Sequence, residues 1–205
     1  MPNKARAGFR AGLEQQGLLA FEEPLWAYLQ LLQHWNQAYN LVARADELTL
    51  ISRHIFDSLS VRPFVTGRHN LDVGSGAGLP GMLLAVTMPD TEWTLLDSNG
   101  KKTRFCEQAA HELGLKQVQV VQARVEAHQP DRLYDSIISR AYDQADNFVR
   151  QTSHLLAEGG QILAMKGRID EGERDRTEQL GFQLRIEALG APQQTGQRHV
   201  MILKK

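Results

Sequence analysis

The chain has 205 residues, 23 Lys and Arg against 24 Asp and Glu, a formal net charge of -1, and 42% hydrophobic side chains. That length suits one medium domain rather than two enzyme domains, and the composition supports a buried core, which excludes a disordered chain. Residues 1–70 carry 7 basic and 6 acidic side chains and residues 71–205 carry 16 and 18, so any polyanion site must be a local cluster of arginines and lysines.

The first seventy residues read as helices. From Pro24 the apolar positions Leu25, Leu29, Leu32 and Tyr39 keep one face, which Tyr28, Leu31 and Trp35 widen. Glu22 and Glu23 ahead of Pro24 suit a helix start. A second helix is predicted from Asp46, carrying Leu48, Ile51, Ile55 and Leu59 toward Pro63. From about residue 69 strands and helices alternate. Strands are predicted at 70–73, 92–97, 118–121, 136–139 and 161–165. Helices follow around Leu83–Val86, from Lys101 to Leu113 before Gly114, and near 145–156 before Gly159-Gly160. A charged helix at 170–180 then precedes two strands near 182–188 and 199–203. This order means a parallel sheet with helices on both faces, and the last two strands, joined by a loop alone, should pair antiparallel. Residues 1–68 are expected to form a helical cap on an α/β core at 69–205, as one structural unit.

No run approaches the roughly 20 apolar residues of a membrane helix, and the N-terminal stretch lacks the apolar segment of a secretory signal. The single cysteine, Cys106, excludes an internal disulfide and fits a reducing cytoplasm. The seven histidines show no metal spacing.

The most informative stretch is Leu71-Asp72-Val73-Gly74-Ser75-Gly76-Ala77-Gly78-Leu79-Pro80-Gly81. Glycines turn the backbone sharply from strand to helix and admit a ligand closely, and the helix N-terminus that follows favours a carboxylate or phosphate. Asp97 closes the next strand, where a carboxylate can accept both ribose hydroxyls of a nucleoside. The motif reads two ways. Gly76, Gly78 and Gly81 match the dinucleotide pattern, with Asp97 near the expected distance of about 20 residues. Gly74, Gly76 and Gly78, with Asp72 just before them, match the GxGxG loop of S-adenosylmethionine-dependent methyltransferases. The antiparallel finish, the lack of room for a hydride-acceptor domain, and Ala123-Arg124-Val125-Glu126 after the third strand favour the methyl donor. An NAD-dependent oxidoreductase and a non-catalytic nucleotide-binding module stay open on these features.

Longer blocks carry a more specific resemblance. These are His34 to Leu41, Arg53 to Ser58, Asp72 to Gly81, Leu95 to Ser98, Ser139-Arg140-Ala141, Lys166-Gly167 and Arg198-His199. Over nearly the whole chain the sequence resembles the bacterial 16S ribosomal RNA guanine-N7 methyltransferases (RsmG, or GidB). Ala77 stands where many members have proline, and residues 1–20 match loosely. The resemblance implies a class I, Rossmann-like fold with an antiparallel last strand. It implies S-adenosyl-L-methionine as donor, S-adenosyl-L-homocysteine as product, and N7 of one guanosine in the decoding-region loop as acceptor. The expected partner is 16S rRNA, within the small ribosomal subunit or its precursor, and the expected protein is a cytoplasmic monomer without metal or membrane.

The residue chemistry agrees with that acceptor. Methylation of a pyrimidine C5 needs a cysteine nucleophile, and Cys106 lies within a helix away from the strand ends. Exocyclic-amine enzymes usually carry an Asn/Asp-Pro-Pro-aromatic turn, where this chain has Ser139-Arg140-Ala141-Tyr142. Guanine N7 has a free lone pair and loses no proton, so alignment and charge stabilisation suffice, with no base or nucleophile. Gly74, Ser75, Gly76, Gly78 and Leu79 are expected around the methionine part of the donor, Asp97 and Ser98 at the ribose, and Val125 and Glu126 at the adenine. The resemblance puts Arg140 near the donor carboxylate, with Arg124 and Arg198 at the same electropositive mouth. Lys166, ending the fifth strand, is a candidate for RNA phosphate or a strand cap. His54, Asp57 and Ser58 share a helix face and read as a hydrogen-bonded seam between cap and sheet. Trp26, Tyr28, Trp35 and Tyr39 read as cap core.

Overall fold

Successive residues of a strand point to opposite faces of a sheet, and here the strands are apolar on both. Leu96, Ile137 and Ile162 enter one buried cluster, while their neighbours Leu95, Ile138 and Leu163 enter clusters on the other face. Such strands need helices on both sides. The computed structural model describes residues 4–140, 142, 144–169, 171–193 and 196–205. Ala141 of the Ser139-Arg140-Ala141 block and Asp170, the expected first residue of the charged helix, lie outside the described residues.

The strands are β1 (His69–Val73), β2 (Glu92–Asp97), β3 (Val118–Gln122), β4 (Tyr134–Ser139), β5 (Leu156–Lys166), β6 (Gln183–Ala188) and β7 (His199–Lys204). They form one sheet in the order β3-β2-β1-β4-β5-β7-β6. β1 to β5 pair in parallel, and β7 runs antiparallel between β5 and β6. The strand order reverses between β1 and β4, which opens a crevice at the carboxyl ends of β1 and β4. This is a class I, Rossmann-like methyltransferase architecture with the antiparallel strand expected from the sequence.

The helices are α1 (Lys4–Gln15), α2 (Glu22–Tyr39), α3 (Glu47–Leu50), α4 (Asp57–Leu59), α5 (Gly81–Thr87), α6 (Gly100–Glu112), α7 (Ala145–Thr152) and α8 (Glu171–Glu178). α2 keeps Leu25, Tyr28, Leu29 and Leu32 buried, shares a cluster with Met82 and Leu83 of α5 and Phe105 of α6, and closes on Asn40 in the left-handed region. α3 starts where Asp46 accepts a hydrogen bond from the Thr49 N–H at 2.7 Å, an N-cap. A π-helical stretch, Ile51–Phe56, joins α3 to α4 without a break. No helix among the described residues is long and apolar enough to cross a membrane.

Four local readings differ. α1 has no separate counterpart in the sequence reading. Its buried face is only Ala5, Phe9, Gly12 and Leu13, too sparse a stripe to stand out. The predicted helix at 145–156 stops at Thr152 and tightens through Ser153–Leu155, because Leu156 already pairs with Tyr134. The Gly159-Gly160 pair therefore lies inside β5, where the register shifts between Tyr134 and Ser136, rather than before it. Tyr39 is 48% exposed and is not cap core, whereas Trp26 and Tyr28 are buried as expected.

Candidate cofactor site

Between the carboxyl ends of β1, β2 and β3 and one face of α7 lies a cavity of about 290 Å³. Val73 and Gly74, Leu96 to Ser98, Ala123 to Glu126, Tyr142, Asn147 and Gln151 line it. Six of the expected site residues therefore meet on one cavity: Gly74, Asp97, Ser98, Arg124, Val125 and Glu126. Asn147, Gln151 and Tyr142 were not anticipated. The first two are four residues apart on α7, on the face opposite buried Phe148 and Val149, so polar i,i+4 spacing on that helix was the available signal.

The glycine loop is held from three directions. Gly74 and Ser75 N–H groups both reach the Leu96 carbonyl, at 2.8 and 3.1 Å, which fastens the loop to β2. Gly76, at φ +59°, turns its N–H onto Asp97 Oδ2 at 2.9 Å. Below the loop, Asp72 Oδ2 accepts the Gly81 N–H at 2.7 Å. A Cβ on Gly81 would stand 2.7 Å from the Asp72 Cβ, so this close approach requires glycine. From the cap, the Tyr28 hydroxyl donates to the Ala77 carbonyl at 2.6 Å.

Asp97 is buried. Its Oδ1 accepts the Asn99 N–H at 2.8 Å, its Oδ2 accepts Gly76, and Lys102 Nζ stands 3.9 Å away. A carboxylate has about four lone-pair positions, so two backbone bonds leave capacity for hydroxyls on the cavity side. Asp72 lies deeper, and burial raises its carboxyl to about 7, opposed by the Gly81 hydrogen bond and by Arg140. Ser75 and Leu79 are buried in the loop and, like Gly76 and Gly78, do not line the cavity; they shape the loop behind it. Cys106 is buried with its thiol 3.4 Å from the Gly76 carbonyl, and burial raises its pKa, which keeps it a thiol.

The arginines divide. Arg124 lines the cavity. Arg140 and Arg198 instead turn toward the helix that follows α3. Arg140 reaches Asp57 Oδ2 at 3.4 Å, the Arg53 carbonyl at 3.2 Å and His54 Nδ1 at 3.2 Å, and Arg198 Nε reaches Asp57 Oδ1 at 3.1 Å. Burial first, then Arg140, Arg53 and Arg198, lowers His54 to about 4, so its imidazole is neutral and accepts through Nδ1. His54 and Asp57 of the expected seam therefore anchor both arginines, and the π-helical stretch supplies the Arg53 carbonyl, while the Ser58 hydroxyl is buried without a hydrogen-bond partner among the described residues and takes no part.

Of the two roles expected for Lys166, the contact with RNA phosphate does not fit its surroundings. Lys166 is buried, its Nζ lies 2.5 Å from Glu173 Oε1 and donates to the Tyr142 carbonyl at 3.2 Å, and Glu173 also accepts the Ala145 N–H. An ammonium held inside the protein this way does not face an RNA phosphate; it ties α8 to the segment leading into α7.

The sequence profile of the family described as rRNA small subunit methyltransferase G matches residues 22–201. The chain belongs to the rRNA small subunit methyltransferase G family. Within the family, the ribosomal RNA small subunit methyltransferase G of Nitrosococcus oceani is 47% identical over 180 residues, which cover 88% of this chain and 84% of that protein. The protein of the same name from Neisseria meningitidis serogroup C is 46% identical over 200 residues, 96% of each chain. Among solved structures, a methyltransferase from Pyrococcus furiosus superposes with a TM-score of 0.63 at 14% identity, covering 86% of this chain and 95% of its own. An O-methyltransferase from Bacillus cereus in complex with SAH gives 0.62 at 17% identity, covering 87% and 91%. At such identities the likeness is one of fold. In this methyltransferase G family member a buried carboxylate with spare acceptor capacity closes β2, the glycine loop beside it is tightly held, and Val125 and Glu126 line the cavity in the turn after β3.

Proposed function

We propose that this protein transfers a methyl group from S-adenosyl-L-methionine to N7 of a guanosine in the decoding-region loop of 16S ribosomal RNA. The observation that carries the reading is Asp97, buried at the end of β2, bonded to the glycine loop and lining the cavity, in a chain of this family. The substrate is the small ribosomal subunit or its precursor, and the protein acts as a cytoplasmic monomer. When bound, the cofactor supplies an electrophilic sulfonium methyl and leaves as S-adenosyl-L-homocysteine.

Asp97 and Ser98 would accept the ribose hydroxyls, while Val125 and Glu126 would flank the adenine. The Gly74-to-Leu79 loop, fixed by Leu96, Asp97 and Tyr28, would hold the methionine end without rearranging. Arg140 would stand near the donor carboxylate, with Arg198 at the same mouth toward the RNA and Arg124 on the cavity wall. Guanine N7 attacks through its lone pair, so no side chain has to remove a proton. Alignment and exclusion of water are what the residues contribute. The target base must leave its stack to reach the methyl, at a cost of a few kcal/mol.

The test is transfer of label from S-adenosylmethionine to small subunits, and to naked 16S rRNA, from cells lacking the enzyme. Label on either substrate supports the reading, and the comparison tells which form is used. Cofactor binding with no label on either RNA contradicts the acceptor.

A further inference from the structure

Arg140 follows the end of β4 and Arg198 directly precedes β7, yet both form ion pairs with one carboxylate, that of Asp57. Asp57 is 1% exposed, whereas the Arg140 and Arg198 side chains are 20% and 40% exposed. One partner is thus fixed inside the protein, and two cationic heads reach it from the surface. Each oxygen takes one arginine, Oδ2 at 3.4 Å and Oδ1 at 3.1 Å. The Arg53 carbonyl and the neutral His54 imidazole complete the Arg140 cradle. A planar guanidinium held by several acceptors is oriented, not merely neutralised.

We infer that Asp57 is a positioning residue for methyl transfer, its two oxygens fixing Arg140 and Arg198 relative to each other so that they meet the incoming guanosine nucleotide as a preformed pair. The inference rests on the functional reading above. Asparagine at this position keeps the volume but offers one acceptor and one donor, so it can hold one guanidinium and must turn its amide toward the other. Gly167 gives a second handle on the same pair. A Cβ there would stand 2.8 Å from Arg198 Nη1, the far end of a flexible side chain. Gly167→Ala therefore displaces the Arg198 head while leaving Asp57 and the backbone in place.

The experiment measures kcat and KM for the small-subunit substrate at saturating cofactor in wild type, Asp57→Asn and Gly167→Ala, together with melting temperatures. Asp57→Asn should lower kcat at least about ten-fold, since misplacing a group near the reacting atoms acts on the chemical step. Its KM for RNA should stay unchanged or fall, because a negative charge near the phosphates is lost. Gly167→Ala should lower kcat less, with an unchanged melting temperature. Loss confined to KM in Asp57→Asn overturns the inference, as does full kcat in Gly167→Ala, which decides the matter alone should Asp57→Asn not fold. A wild-type protein that methylates no RNA overturns the functional reading and the inference with it. Active wild type beside fully active variants overturns the inference alone.

Discussion

Asp72 and His54 titrate in opposite senses across the glycine loop and the arginine seam. Burial raises Asp72 from 3.8 to about 7 and lowers His54 from 6.5 to about 4. Between about pH 4 and 6.5 the unfolded chain therefore carries a proton on His54 and none on Asp72, while the folded protein carries the reverse. Their contributions to the pH dependence of stability cancel in that window. Removing one exposes the other. In His54→Gln, stability should fall, relative to wild type, as pH rises from about 4 to 6.5, because the folded state alone then holds the proton on Asp72. In Asp72→Asn it should rise over the same window. Chemical denaturation across that range checks both, and identical profiles in the three proteins contradict the assignment. At Asp97, alanine removes a charged acceptor of Gly76, Asn99 and the expected ribose hydroxyls. At about 1.5–3 kcal/mol per such bond, calorimetry should show cofactor affinity about ten- to a hundred-fold weaker. Lys166→Ala should cost about 3–5 kcal/mol of stability by removing the cation paired with buried Glu173, read as a lower melting temperature. The role of Asp97 was legible because its chemistry follows from a strand end beside a glycine loop. The burial of Lys166 and the direction of Arg140 were not, because their partners Glu173 and Asp57 come from separate elements that only the fold brings near.

Among elements, the cap does more than cover the sheet. α2 sends Tyr28 to the Ala77 carbonyl, and the stretch from α3 to α4 carries the groups that hold Arg140 and Arg198. Tyr28→Phe keeps the ring against Phe105 and deletes only the hydroxyl. Stability should drop by about 1 kcal/mol, with weaker cofactor binding by calorimetry as the loop gains freedom. Unchanged affinity would mean the loop is rigid without the cap. α2 was readable from its dense apolar stripe, as was the start of α3 from an aspartate that caps it. The π-helical stretch was not, since its residues keep an ordinary helical pattern and the contact its Arg53 carbonyl makes is with Arg140, far away in sequence. β5 began early for a similar reason: Gly159-Gly160 looks like a turn in isolation, and pairing with β4 draws it into the strand.

Over the whole molecule, the sheet order puts the ends of β1, β2, β3 and β4 on one rim, with the cap seam and the start of β7 beside them. A near-neutral chain thus concentrates Arg53, Arg140 and Arg198 around His54, which fits a local polyanion contact rather than a basic surface. Strand and helix order was legible in the sequence because periodicity is local. The rim was legible only as strand ends, since which ends face each other depends on crossovers. The most direct measurement is to digest 16S rRNA after reaction with the protein and labelled S-adenosylmethionine and to identify the labelled nucleoside by chromatography. Label recovered in 7-methylguanosine is the expected result. Label in any other methylated nucleoside would contradict methylation at guanine N7.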